Sequence, residues 1–373
     1  MTVAFSLLSH YNRGMKIGII GLQNSGKTTV FNALTKSEAE VTSYSSNKVE
    51  PNLAVVNVED ERVIKLSEMY RPKKTVFATV EFIDFAGLTS GSAKDGLFSG
   101  AAMGEVKTVH ALAVVLRNFH DETIDAALGL ADPVSDLETL EDELVLSDLI
   151  ITENRLERIA SDMQRGKKTP ALVTEEKLLE RIKEHLDNGK PLRHLDLNEE
   201  ELKMIGGFQF LSLKPVLVVL NSDETNYGKN KDTVSEMERS HRVIEFAGKF
   251  EMELSGLDEE EAEIFMADLG ITESARDRLI KMAYNLLGYI SFFTVGEDEV
   301  RAWTITKGTP AVEAAGEIHS DLQRGFIRAE CFRYEDLIEL GSEKEVKAKG
   351  LMRLEGKEYT VKDGDILNIR FSI

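Results

Sequence analysis

The sequence predicts an α/β fold: a doubly wound sheet interrupted by an α-helical insertion and followed by a small β-grasp domain. Three observations predict it. Residues 15–119 alternate strand-like and helix-like segments, with β-rich runs at 16–20, 53–58, 76–84 and 111–116. From about Asp132 the texture turns acidic and helical. Beyond about residue 288, short strands surround a single helical segment.

The first strand sets the chemistry. Residues 15–20 form an apolar run of strand length, and residues 21–28, GLQNSGKT, follow at once. They fit G-x-x-x-x-G-K-[ST], the phosphate-binding loop of P-loop nucleotide hydrolases, and residues 29–35 then take up helical spacing. In that order, successive backbone N–H groups and the positive end of a helix dipole can cradle phosphates. Asn24, Ser25, Gly26, Lys27, Thr28 and Thr29 are the candidate contacts. Lys27 would reach the β- and γ-phosphates, and the Thr28 hydroxyl would ligate Mg²⁺.

The run 53–58 leads into a helical segment at 61–70, and the next strand ends in Asp84. Phe85-Ala86-Gly87 completes the pattern D-x-x-G. Placed at the end of an apolar strand downstream of the glycine loop, Asp84 becomes a Mg²⁺ ligand, directly or through water. The Gly87 N–H becomes the sensor of the γ-phosphate.

Ser135 is an N-cap candidate, and leucines at i, i+3/i+4 spacing run on through Leu156. A second helix spans residues 174–185 and stops at Asp187-Asn188-Gly189. Sheet texture returns at 215–220, a buried parallel strand by its composition. Its end, Asn221-Ser222-Asp223-Glu224, stands where GTPases usually carry N-K-x-D, whose aspartate accepts two hydrogen bonds from guanine. Ser222 in place of lysine removes the aliphatic stem that stacks on the base. Glu224 is one methylene longer than aspartate, so guanine specificity is weakened. Asn221 and Glu224 are nevertheless the candidate base contacts.

Further helices start near Thr233 and span about 273–287. Residues 292–295 and 300–305 read as a hairpin, 310–324 as helix, and 327–332 and 359–371 as strands. The chain thus divides into an extension at 1–14, read as a disordered tail or an early start codon, and three domains. These are a nucleotide domain at 15–131 and 212–287, a helical insertion at 132–211, and a β-grasp domain at 288–373.

Composition narrows the class. A chain of 373 residues, 42% hydrophobic and 29% charged, is an ordinary globular protein of two or three domains. One cysteine, Cys331, excludes an intramolecular disulfide and a cysteine-based zinc cluster, and it suits the reducing cytoplasm. A formal charge of −20 argues against broad, charge-driven DNA binding. No apolar run approaches a membrane span.

To the loop, the D-x-x-G element and residues 221–224 can be added VEPN at 49–52 and DPVSDLETLEDELVLSDL at 132–149. GEDEVRAWTITKGT at 296–309, AGEIHSDLQRGFIRAE at 315–330 and KDGDILNIRF at 362–371 complete the series. With them, residues 15–373 resemble the Obg-like ATPases of the YchF type, within the translation-factor class of P-loop GTPases. The C-terminal set is similar to the TGS domain of that family. The resemblance implies Mg²⁺-dependent binding and hydrolysis of ATP in preference to GTP, through Asn221 and Glu224. It also implies a nucleotide domain interrupted by a helical coiled-coil domain, and association with the ribosome.

Two positions depart from the family pattern. Its water-positioning histidine would fall at Val114, and the switch I threonine that approaches Mg²⁺ is replaced by Lys48. Leu88 stands where other GTPases carry a switch II glutamine, as in the family. His110 is read as an ordinary polar residue ahead of a strand. No residue is therefore assigned a catalytic role, and slow hydrolysis is expected. Two alternatives stay open: a nucleotide-dependent switch or scaffold with little hydrolysis, and a GTPase.

Overall fold

A computed structural model describes residues 16–35, 52–85, 101–268, 271 and 273–372. The 1–14 extension, Lys48, Gly87 and Leu88 lie outside the described residues.

In chain order the strands are β1 (Lys16–Ile20), β2 (Asn52–Val58), β3 (Lys74–Val76), β4 (Ala78–Asp84), β5 (Ala111–Asn118) and β6 (Val216–Ser222). Then come β7 (Arg242–Phe246), β8 (Tyr289–Thr294), β9 (Glu299–Thr306), β10 (Phe326–Arg333), β11 (Arg353–Glu355) and β12 (Asp365–Phe371). Two sheets result, ordered β2-β4-β1-β5-β6-β7 and β11-β10-β12-β8-β9-β3.

The first sheet is parallel except for its β2 edge, which runs antiparallel to β4. Its central strands are apolar throughout because helices cover both faces: every residue of β6 is buried, and β5 is buried up to Arg117. β7 escapes the sequence reading, being five residues long and broken by Glu245.

The first helix of the insertion starts three residues before the point that a Ser135 cap implies. This helix, Pro133–Gln164, is capped by Asp132 rather than Ser135: the Asp132 carboxylate accepts from the Ser135 N–H at 3.1 Å, and Pro133 fills the first turn. The second helix, Pro170–Asp187, starts at the Thr169 cap. It packs back through Val145, Ile159, Leu178, Leu179, Ile182 and Leu186. At the root of this arm Asp148, fully buried, accepts from Leu211 N at 2.8 Å and from Ser212 N and Oγ at 2.7 and 2.6 Å.

The run expected at 76–84 is two strands. Val76 pairs in parallel with Arg301 in the second sheet, and Ala78 pairs with Val58 in the first, so Phe77 marks a change of sheet. The expected strand at 359–371 shortens to β12, with Thr360 making only an isolated bridge to Pro310. One face of the second sheet holds the helix Ala311–Ile318, whose Ala311, Ala314 and Ala315 meet Phe292, Ile305 and Leu367. The other face shares a core with the nucleotide domain, where Phe293, Val300, Phe332 and Tyr334 join Val58, Val63 and Leu66. Arg62 braces this junction. It pairs with Asp60 and Asp363 and lays its guanidinium 5.0 Å from the Phe293 ring centroid.

Candidate nucleotide-binding site

The site grows from the C-terminal end of β1. Val30 to Leu34, all buried, fix the following helix Lys27–Thr35 on the sheet, so its N-terminus must meet the loop in one orientation. The loop leaves no room for a side chain at its two glycines, Gly21 and Gly26. A Cβ at Gly21 would stand 2.4 Å from the Val115 carbonyl oxygen. Gly26 sits at φ +89°, and a Cβ there would stand 2.1 Å from Asn221 Nδ2. Asn24 is exposed and takes a left-handed conformation, φ 60°, that asparagine tolerates.

Lys27 is buried and folds over its own loop, Nζ donating to the carbonyls of Gly21 at 3.0 Å and Leu22 at 2.8 Å. Burial pushes its ammonium down to about 8 against the pull of Asp84. Thr28 Oγ1 donates to Asp84 Oδ2 at 2.9 Å. Asp84 has no solvent exposure and its Oδ1 has no hydrogen-bond partner among the described residues. Burial raises its pKa, opposed by the Thr28 hydroxyl, by Lys27 and by Asn52, which faces it across β2–β4. Ser25 Oγ is likewise buried without a hydrogen-bond partner among the described residues. Buried polar atoms left unpaired beside a lysine and a glycine loop are the signature of a site made for a polar ligand. Thr28 and Asp84 are hard oxygen donors of the kind Mg²⁺ takes.

On the base side, Asn221 is buried and joins two loops. Its Nδ2 donates to Ser25 O at 3.0 Å and its Oδ1 accepts from Gly248 N at 3.2 Å. Thr29, half-buried, borders the same point: a Cβ at Gly248 would stand 3.3 Å from its Cγ2. Glu224 is exposed and carries no hydrogen bond or ion pair among the described residues. Gly248 escapes the sequence reading; a Gly just after a short strand was its available signal. Phe119 also went unnoticed, and its ring lies 3.7 Å from where a Gly26 Cβ would be.

His110 is at the far end of the sheet. Its Nδ1 accepts from Lys16 N at 3.2 Å and its own N–H donates to Lys16 O at 2.8 Å, tying the starts of β1 and β5 together. Burial lowers its pKa. Val114 is buried opposite Ile20 and Val218, among Phe85 and Leu220. It offers no polar atom to a water.

Residues 16–155 match the family model described as 50S ribosome-binding GTPase. Residues 289–372 match the C-terminal YchF GTPase model, described as a protein of unknown function. The chain is 41% identical over 363 residues to the ribosome-binding ATPase YchF of Bacillus subtilis (strain 168), covering 95% of this chain and 99% of that protein. It is 38% identical over 364 residues to its namesake in Haemophilus influenzae, covering 96% and 100%. The solved structure of the Schizosaccharomyces pombe YchF GTPase superposes with a TM-score of 0.84 at 34% identity, over 97% of this chain and 99% of that one. Fold and site define a P-loop nucleotide-binding protein of the GTPase class. The glycine loop, the residues 221–224 and the C-terminal domain all fall within these matches. The chain belongs to the YchF family.

Proposed function

We propose that the chain binds a Mg²⁺–nucleoside triphosphate on residues 21–29 and hydrolyses it slowly, with ATP preferred over GTP. The observation that carries this reading is the convergence of Lys27, Thr28 and the unpartnered Asp84 Oδ1 at one glycine loop. Asn24, Ser25, Gly26 and Thr29 contribute the loop wall, and the Gly87 N–H is the expected γ-phosphate contact. Thr28 and Asp84 would hold the ion, which when bound neutralises charge on the phosphate oxygens. Lys27 exchanges its carbonyl partners for phosphate oxygens, regaining a counter-charge. Asn221 and Glu224 face the base.

The partner proposed is the ribosome, as in the names of the relatives, and the compartment is the cytoplasm. No described helix is long and apolar enough to cross a membrane. Titration with fluorescent ATP and GTP in the presence of Mg²⁺ tests the binding claim. Equal affinities, or none, would overturn the ATP preference.

A second reading, a nucleotide-dependent switch with little hydrolysis, is favoured by Val114. An apolar side chain, buried among others, orients no water. Multiple-turnover assays with and without ribosomes separate the two: turnover that stays near background in both conditions supports the switch.

A further inference from the structure

Three neighbouring strand ends are joined by one polar chain. Asn118, the last residue of β5, donates through Nδ2 to Ser222 Oγ at 2.8 Å, its register partner at the end of β6. Ser222 in turn donates to Glu245 Oε1 at 2.9 Å. Glu245 lies on β7, opposite Leu220, and is half-buried between Ile244 and Phe246. Its carboxylate takes two more hydrogen bonds, both from the loop that leaves β6: Gly228 N to Oε2 at 2.9 Å and Asn230 Nδ2 to Oε1 at 2.6 Å.

All three donors to Glu245 therefore come from residues 222–230, and none from residues 21–28 or Asp84. Hydrogen bonds to an ionised acceptor are shorter and stronger than neutral ones, so one carboxylate pins both ends of this loop. Asp223 closes its first turn, accepting from Asn226 N, the Thr225 hydroxyl and His120 N. Glu224 is held between these two anchored stretches, its own side chain exposed and without a hydrogen bond or ion pair among the described residues. The Ser222 hydroxyl, at the position where a lysine would project to the base, is turned to Glu245 instead.

We propose that Glu245 is the positioning residue of the base-reading edge: it fixes the loop at 222–230, hence the reach of Glu224, hence the choice between adenine and guanine nucleotides. This role rests on Asn221 and Glu224 being base contacts. It places a selectivity determinant on β7, outside the N-x-x-E segment.

The test is titration of the full chain with fluorescent ATP and GTP in Mg²⁺, for the parent, Glu245→Ala, Glu245→Gln and Glu224→Ala. Displacement by inorganic tripolyphosphate reads the phosphate half alone. Glutamine keeps the size of Glu245 but turns an NH₂ toward one of its donors. In Glu245→Ala the ATP-to-GTP affinity ratio is expected to move about tenfold toward that of Glu224→Ala, with tripolyphosphate affinity unchanged and Glu245→Gln in between. An unchanged ratio in Glu245→Ala beside a shifted one in Glu224→Ala overturns the role of Glu245 and leaves the base contacts standing. An unchanged ratio in every variant overturns the base contacts, and the role of Glu245 with them. Lost tripolyphosphate binding in both Glu245 variants overturns it too, since the residue then supports the fold and not the base.

Discussion

Asn221 and Gly26 approach so closely that hydrogen is the only side chain the loop can carry at residue 26. A Cβ there would stand 2.1 Å from Asn221 Nδ2, the atom that donates to Ser25 O. The φ of +89° adds backbone strain for any other residue. Gly26→Ala is expected to push Asn221 off both loops and weaken ATP binding by about a hundredfold or more, on the order of 3 kcal/mol. Fluorescent-nucleotide titration reads the loss, and circular dichroism checks that the chain still folds.

Lys27 makes nucleotide affinity depend on pH in a calculable direction. Burial holds its ammonium at about 8 in the free protein, and bound phosphates, being anionic, raise it. Below about pH 8 the lysine is charged before and after binding, so it adds no slope. Above it, binding takes up a proton, and affinity falls by up to about tenfold per pH unit. Calorimetry in buffers of different ionisation heat should find little proton uptake by Lys27 near pH 7 and close to one proton near pH 9. A flat affinity across that range contradicts it.

If the ion sits as proposed, Asp84 and Thr28 would carry the metal dependence. Asp84→Asn keeps the shape and the Thr28 contact but removes the charge. ATP affinity in chelator is expected to be unchanged, while the gain on adding Mg²⁺ drops by about tenfold or more. Paired titrations in Mg²⁺ and in chelator measure this difference.

Asp148 anchors the helical arm. Asp148→Ala leaves two buried backbone N–H groups, of Leu211 and Ser212, and the Ser212 hydroxyl without their acceptor. A loss of about 3 kcal/mol or more is expected. Asp148→Asn should lose less, keeping one acceptor oxygen. Denaturant melts give the magnitude, and faster proteolysis near residues 211–214 would localise it.

Arg62 carries one of the ion pairs at the junction between the two sheets. Its side chain is 25% exposed and that of Asp363 49%, so solvent screens the pair. A double-mutant cycle of Arg62→Ala with Asp363→Ala should give a coupling of only about 0.5–1 kcal/mol. Arg62→Ala alone should cost more, about 1–2 kcal/mol, because the contact with the Phe293 ring is also lost.

What the sequence made legible follows from where its information is local. The glycine loop is readable because four fixed positions lie within eight residues and the strand before it is apolar. β5 and β6 are readable because both faces are buried. The helix start at Pro133 was missed by three residues because Asp132 and Ser135 are both good caps, and only the structure shows which accepts. The break at Phe77 is invisible in a run whose residues are uniformly strand-like, since it depends on partners at Val58 and Arg301. Gly248 and Glu245 matter through contacts with Asn221 and with residues 222–230, and no spacing rule connects them.

The change of sheet at Phe77 has a consequence for dissecting the protein. β3, in the middle of the nucleotide domain's sequence, supplies the edge beside β9, and β4 continues from it to Asp84. A chain cut after residue 287 would strip β3 of its neighbour and bare Val58, Val63 and Leu66, a surface suited to aggregation. The C-terminal piece alone would lose its β9 edge partner and expose Phe293 and Phe332. The two sheets are modules in outline, but not interchangeable parts: a graft of either must carry residues 74–76 with it.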